Sequence, residues 1–419
     1  MFKFAITLML GTVVLTEART PSRIPGLLDK ALEQRIIMSI PEFQGEWSYV
    51  TMDSDAVKPS SARFRSHYEV VGESGGIALV RVPKGSEDAL SAMMHKDFRR
   101  CAGFVSHESE EDAFSSMEAM HRYTRQSRQL IPPFEIDNSE QTADLISKVN
   151  ETRVRETILS LSTMKNRYYR STEGVLAAQW IHDHWKNLIK DLPGASVRYF
   201  EHKGWPQKSV IVRIEGTKSP DEVVILGGHL DSTSGMGGNH ITAPGADDNA
   251  SGIACLTEVI RVASETGFRP ARTVEFMAYA AEEVGLKGSG EIAQTYKRDG
   301  VKVVGVMQLD MTNFNSSKKD IYIFEDYTNP AQNQFLKDLV DTYLTDLTWG
   351  VTKCGYACSD HASWTRQGFA ASYPAESSMD DDNPYIHSIR DTIAQSGGHA
   401  QHAAKFARLG LAYMAEASQ

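Results

Sequence analysis

The chain has no basic block and no motif for stacking nucleic-acid bases, and its 44 Lys and Arg are outnumbered by 54 Asp and Glu, for a net charge of -10. That balance argues against a phosphate backbone and sets nucleic acid aside as a partner. Beyond the first residues no apolar run approaches the ~20 residues of a membrane-spanning helix, so no stable membrane insertion is expected. Internal repeats are absent too. Cysteine is sparse, at positions 101, 255, 354 and 358. What remains, 419 residues with 41% hydrophobic and 23% charged, has the composition of a soluble globular protein with a large core.

Residues 1–18, MFKFAITLMLGTVVLTEA, combine Lys3, an apolar stretch from Phe4 to Leu15 and the small residues Thr16 and Ala18. This pattern is expected of a signal peptide, and hence of a secreted protein in an oxidising compartment. Residues 19–130 read as a pro-segment. SHYEVVG and GIALVRVP flank a Gly-rich turn, a helix follows behind Ser86, and the stretch 106–136 reads as a polar linker with Arg122, Arg125 and Arg128 before a Pro pair. From 131 to 419 two amphipathic helical stretches (140–163 and 172–191) precede alternating strands and helices. SVIVRIEG, EVVILGG, TVEFMAYA, VVGVMQLD and DIYIFED are the expected strands. Near-continuous apolar strands between helices predict an α/β fold with a mostly parallel mixed sheet covered on both faces, preceded by a small α+β unit.

Ligands of such sheets bind beyond the carboxyl ends of the strands. There the sequence puts His229 and Asp231, then Glu282 and Glu283, then Asp310; Asp247 and Asp248 precede a helix, and His387 sits in a later loop. Taken singly, each has an ordinary explanation as a core histidine, a helix-end acid or a solvated turn. Together, so many acids at one end of a buried sheet would repel one another without a divalent cation. Histidine nitrogen with carboxylate oxygen and no thiolate suits zinc.

The segments GGHLDSTSG, APGADDNASGIACLTEVIRV, AYAAEEVGLKGS, QLDMTN, CGYACSDHASW and NPYIHSIRDT resemble, in the same order, the secreted bacterial two-zinc leucyl aminopeptidases. The resemblance implies two Zn2+ ions, with His229 and Asp310 on one, Glu283 and His387 on the other, and Asp247 bridging. It further implies that Asp231 orients the His229 imidazole, that Asp248 is the partner in a cis Asp-Asp peptide, that Glu282 is the general base and that Cys354 pairs with Cys358. Tyr356 is a candidate oxyanion donor, Cys255 an inert buried thiol, and Cys101 leaves with the pro-segment. The expected substrates are peptides with a free N-terminus, and the expected mature state is a monomer. Met311, Tyr356, Met379 and Ile386 would form an apolar wall suited to Leu or Met. Where the similar enzymes carry aromatic residues this chain has Ala375, Met379 and Asp382, which predicts a wider pocket that also accepts Lys or Arg. A zinc carboxypeptidase or a glutaminyl-cyclase-like enzyme on the same fold is the alternative, and a metal-free receptor-like scaffold the non-enzymatic one.

Overall fold

The computed structural model describes residues 45–57, 68–126, 134–235 and 240–419. The expected signal peptide and Arg128 lie outside the described residues. The first unit is an antiparallel sheet of β1 (Trp47–Asp53), β2 (Glu69–Ser74), β3 (Ile77–Pro83) and β4 (Phe104–His107), in the order β2-β3-β1-β4. Gly75 and Gly76 turn β2 into β3 with φ of 59° and 85°, values that favour glycine and suit the twist of a hairpin. Alternation along β3 decides the packing. Ala78 and Val80 meet Leu90 and Met94 of helix α1 (Glu87–Phe98), while Leu79 on the other face meets Ala113 and Met117 of α2 (Glu110–Gln126). The stretch read as a polar linker is therefore helical over most of its length, because Ala113 and Met117, four residues apart, give an otherwise polar segment one apolar stripe.

The larger part begins with α3 (Ser139–Ser147) and α4 (Glu151–Ser162), one stretch in the sequence reading but divided where Asn150 accepts the Thr152 amide and caps the second helix. After α5 (Thr172–Leu188) come β5 (Ala195–Phe200), β6 (Ser209–Ile214), β7 (Ser219–His229), α6 (Ala250–Glu265), β8 (Arg272–Tyr279), α7 (Lys287–Arg298) and β9 (Lys302–Gln308). The chain continues through β10 (Ile321–Phe324), α8 (Pro330–Tyr343), β11 (Trp349–Thr352), α9 (His361–Arg366), β12 (Ala371–Ser372), β13 (Pro374–Ala375) and α10 (Gln401–Ala417). The main sheet has the order β12-β9-β7-β8-β6-β5. Its four strands β12, β9, β7 and β8 are mutually parallel, and β6 and β5 add antiparallel.

Both faces are covered. Val224 and Leu226 of β7 pack with α4, α6 and α10, while Val223 and Ile225 pack with α7 and α9. DIYIFED, expected beside the other strands, instead forms β10 in a separate three-stranded sheet, β11-β10-β13.

Candidate metal centre

The chain runs from β7 to β8 on one side and then to β9 on the other, so the order of the sheet reverses around β7 and a crevice opens at the carboxyl ends of these strands. His229 is the last residue of β7, Glu282 and Glu283 follow β8, and Asp310 follows β9. Asp248 lies just before α6, whose N-cap Asn249 accepts the Gly252 amide. His387 arrives from the loop ahead of α10. All six side chains are buried. Ala281 and His387 hold left-handed backbone, at φ 56° and 52°. Such values persist outside glycine only where surrounding structure enforces them, and at Ala281 they set the direction in which Glu282 and Glu283 leave the strand.

His229 Nε2 stands 3.0 Å from one oxygen of Asp248 and 3.3 Å from Asp310. His387 Nε2 stands 3.2 Å from the other oxygen of Asp248 and 2.6 Å from Glu283. Despite these lengths, His229 Nε2, His387 Nε2, Asp248 Oδ2, Asp310 Oδ1 and both Glu283 oxygens have no hydrogen-bond partner. The atoms lie at hydrogen-bond distance without its direction, which is how lone pairs sit when they converge on a common cation. Unpartnered buried carboxylates are otherwise costly. Buried His and carboxylate donors around Asp248 therefore fit a divalent metal such as zinc.

The position between the two histidines is taken by Asp248, not by the expected Asp247. Asp247 turns away: Oδ1 accepts the Asn313 and Phe314 amides, and Oδ2 accepts from the Asn383 side chain. The cis peptide is correspondingly Asp248–Asn249 rather than Asp247–Asp248.

Asp231 occupies the place expected of an orienting acid. Its carboxylate lies 3.5 Å from His229 Nδ1 and accepts the amides of Glu282 and Glu283. Asp391 receives the Asp247 and Asp248 amides at 3.1 Å each. Ser359 donates to Asp310. Arg167 donates to the carbonyls of Leu230, Pro244 and Gly245, tying the loops on either side of the site together. Burial pushes that guanidinium down to about 10, against the nearby Asp391 and Asp231. Sequence reasoning missed Asp391, Ser359 and Arg167. Asp391 lies inside the quoted NPYIHSIRDT segment; for Arg167 no sequence signal exists, because its partners are backbone carbonyls.

The profile of peptidase family M28 matches residues 209–411, which span every residue of the centre named above except Arg167. The chain is 38% identical over 292 residues to "Probable aminopeptidase YDR415C" of Saccharomyces cerevisiae, covering 68% of this chain and 74% of that protein. The chain belongs to peptidase family M28. It is also 34% identical to "Leucine aminopeptidase 1" of Emericella nidulans, over 64% of this chain and 72% of that one. Among solved structures it resembles LapB from Legionella pneumophila, with a TM-score of 0.75 and 28% identity, covering 89% of this chain and 100% of LapB.

In this M28 peptidase a cavity opens beside the centre, lined by Asp248, Glu282, Asp310, Met311, Tyr356, Met379 and Asp382. Ile386, expected in its wall, is buried but does not line it. Phe324 and Tyr373, stacked 4.7 Å apart, supply that wall instead. Cys354 and Cys358 form a disulfide in the loop that carries Tyr356. Burial pushes the Glu282 carboxyl well above the usual carboxylate range, with His229 opposing. Cys255 is buried on α6, its thiol pushed up to about 12 by burial, which keeps it inert.

The first unit covers this end of the sheet. Ser91 Oγ donates to the Glu283 carbonyl, the Ser106 amide to the Gly285 carbonyl, and Lys287 pairs with Glu87 at 3.0 Å.

Proposed function

We propose that the protein is a secreted two-zinc aminopeptidase made as a latent precursor, with Glu282 as its general base. The chain is a metallo-aminopeptidase hydrolase acting on peptides. The finer reading is supported above all by the convergence of unpartnered His and carboxylate atoms on either side of Asp248. His229 and Asp310 would hold one ion, His387 and Glu283 the other, and Asp248 would touch both. Bound there, divalent cations supply Lewis acidity toward the scissile carbonyl and a water acidic enough to be deprotonated near neutral pH. Glu282, whose Oε1 has no other partner, would accept the proton of the attacking water and pass it to the leaving amine. Tyr356 lines the same cavity and donates to the developing oxyanion.

Residues 1–18 would direct export. Residues 19–130 would be a pro-segment removed to give a monomeric enzyme that releases N-terminal Leu and Met, with Lys and Arg also accepted. Metal analysis with paired substrates tests the core of this reading. Two zinc ions per chain are expected, together with hydrolysis of Leu anilide that stops when the amine is acetylated. Equal hydrolysis of N-blocked and free peptides would favour a carboxypeptidase, and protein without bound metal would favour an inactive scaffold.

A further inference from the structure

The turn after α1 does more than connect it to β4. It carries Cys101 into the metal centre, where Cys101 Sγ, one Asp248 oxygen and one His387 nitrogen all lie within 4.8 Å of one another. The backbone is bent to achieve this: Arg99 and Ala102 hold φ of 55° and 43°, and Gly103 follows at 73°. Two non-glycine left-handed residues in one short turn need contacts to enforce them, and three groups do so. The Cys101 amide donates to the Tyr356 hydroxyl at 3.0 Å. Arg100 pairs with Asp55 at 2.8 Å and lies over the Tyr356 ring. His95 packs its ring 4.5 Å from that of His387. In the same centre His387 Nε2, Asp248 Oδ2 and both oxygens of Glu283 are buried without hydrogen-bond partners, one Glu283 oxygen lying 2.6 Å from His387 Nε2, and the cavity that Cys101 lines is ≈ 40 Å³, room for a few waters and not for a peptide.

We propose that Cys101 is a metal ligand of the uncut protein: its thiolate takes the open position on the ion held by His387, Glu283 and Asp248, and so keeps the enzyme latent. Thiolate is a strong zinc ligand, and a site that works on substrate must keep one position free. Cys101 loses its proton to solvent as the sulfur–metal bond forms, and nothing is oxidised or reduced. The same turn also lies against Tyr356, whose hydroxyl accepts the Cys101 amide, so it sits over both the metal position and the cavity residue read as the oxyanion donor. The proposal rests on the metal assignment of His387, Glu283 and Asp248.

Cobalt in place of zinc reads the bond directly. Full-length protein loaded with Co(II) should show an intense thiolate-to-metal charge-transfer absorption in the near ultraviolet. Cys101→Ser and Cys101→Ala should lose it while retaining bound cobalt and the weaker visible bands of a His and carboxylate site. Assignment is clean because Cys354 and Cys358 are disulfide-bonded and Cys255, the other free thiol, is buried away on α6. A second readout is thiol labelling of native protein, with Cys101 protected when metal is bound and reactive after chelation. Cobalt bound at full occupancy without the charge-transfer band, or with a band that survives both substitutions, overturns the proposal alone. Failure to bind cobalt overturns it together with the metal assignment.

Discussion

Glu282 and Glu283 are neighbours of equal charge and similar burial, so only their directions separate a base from a ligand. Glu282→Gln should keep its full metal content and lose turnover by ~10² or more, the scale of a lost general base, whereas Glu283→Ala should lose metal. Equal metal loss in the two variants would refute the division. Asp247 and Asp248 pose the same question just ahead of α6. Asp248→Asn should reduce the content of both ions, and Asp247→Asn should leave it intact while loosening the loop around Asn313 and Asn383. Sequence alone could not decide this pair, since adjacent acids ahead of a helix look alike until the hydrogen bonds of Asn313, Phe314 and Asn383 claim one of them. At the rim, Asp382 is half-buried, its carboxyl raised by burial and lowered by Arg99 of the first unit. In protein freed of that unit, Asp382→Asn should lower the ratio of kcat/KM on Lys to Leu anilides by ~1 kcal/mol, about fivefold. An unchanged ratio would leave only the widened pocket to account for any basic preference.

Among the elements, β7, β8 and β9 were legible because both their faces are buried, which writes a nearly unbroken apolar run. His229, Glu282, Glu283 and Asp310 were legible with them, each at or just past the end of such a run, whereas Asp248 and His387 come from loops that no strand announces. β5, half-exposed along its length, lacks that signature and went unread. DIYIFED carries the right residues, yet its sheet partners, β11 and β13, are set by long-range contacts that no local pattern encodes. Helix α10 contains a titratable weak point. His402 Nε2 donates to the Asp320 carbonyl at 2.7 Å, and burial, reinforced by Lys405, lowers it to about 4 against the opposing pull of Asp320. A histidine lowered on folding binds its proton more readily in the unfolded chain. Stability is therefore kept above pH ~6.5 and lost as pH falls toward about 4, by up to ~1.4 kcal/mol per pH unit. The urea midpoint of wild type should drop across that window more steeply than that of His402→Gln; parallel slopes would remove His402 as the cause.

At the scale of the whole molecule, two units meet on the loop that carries the glutamates, and α2 ends at Gln126, one residue after Arg125. Limited trypsin cleavage there, followed by dilution, should raise activity toward Leu anilide over that of the uncut chain, and unchanged activity in the cut and diluted sample would refute latency. That outcome depends on how the first unit is held. Its grip on the loop that carries the glutamates is made through the main-chain carbonyls of Glu283, Val284 and Gly285 and one ion pair at Lys287, reinforced by Val105 packing on Leu286. While the chain between the units is intact these modest contacts act at the effective concentration of a linked pair, on the order of millimolar for a short linker. A single cut changes no contact but turns the same association bimolecular. Activation then becomes a matter of dilution: nicked protein kept concentrated should stay largely silent, and the same sample diluted a hundredfold should wake with a lag set by departure of the first unit.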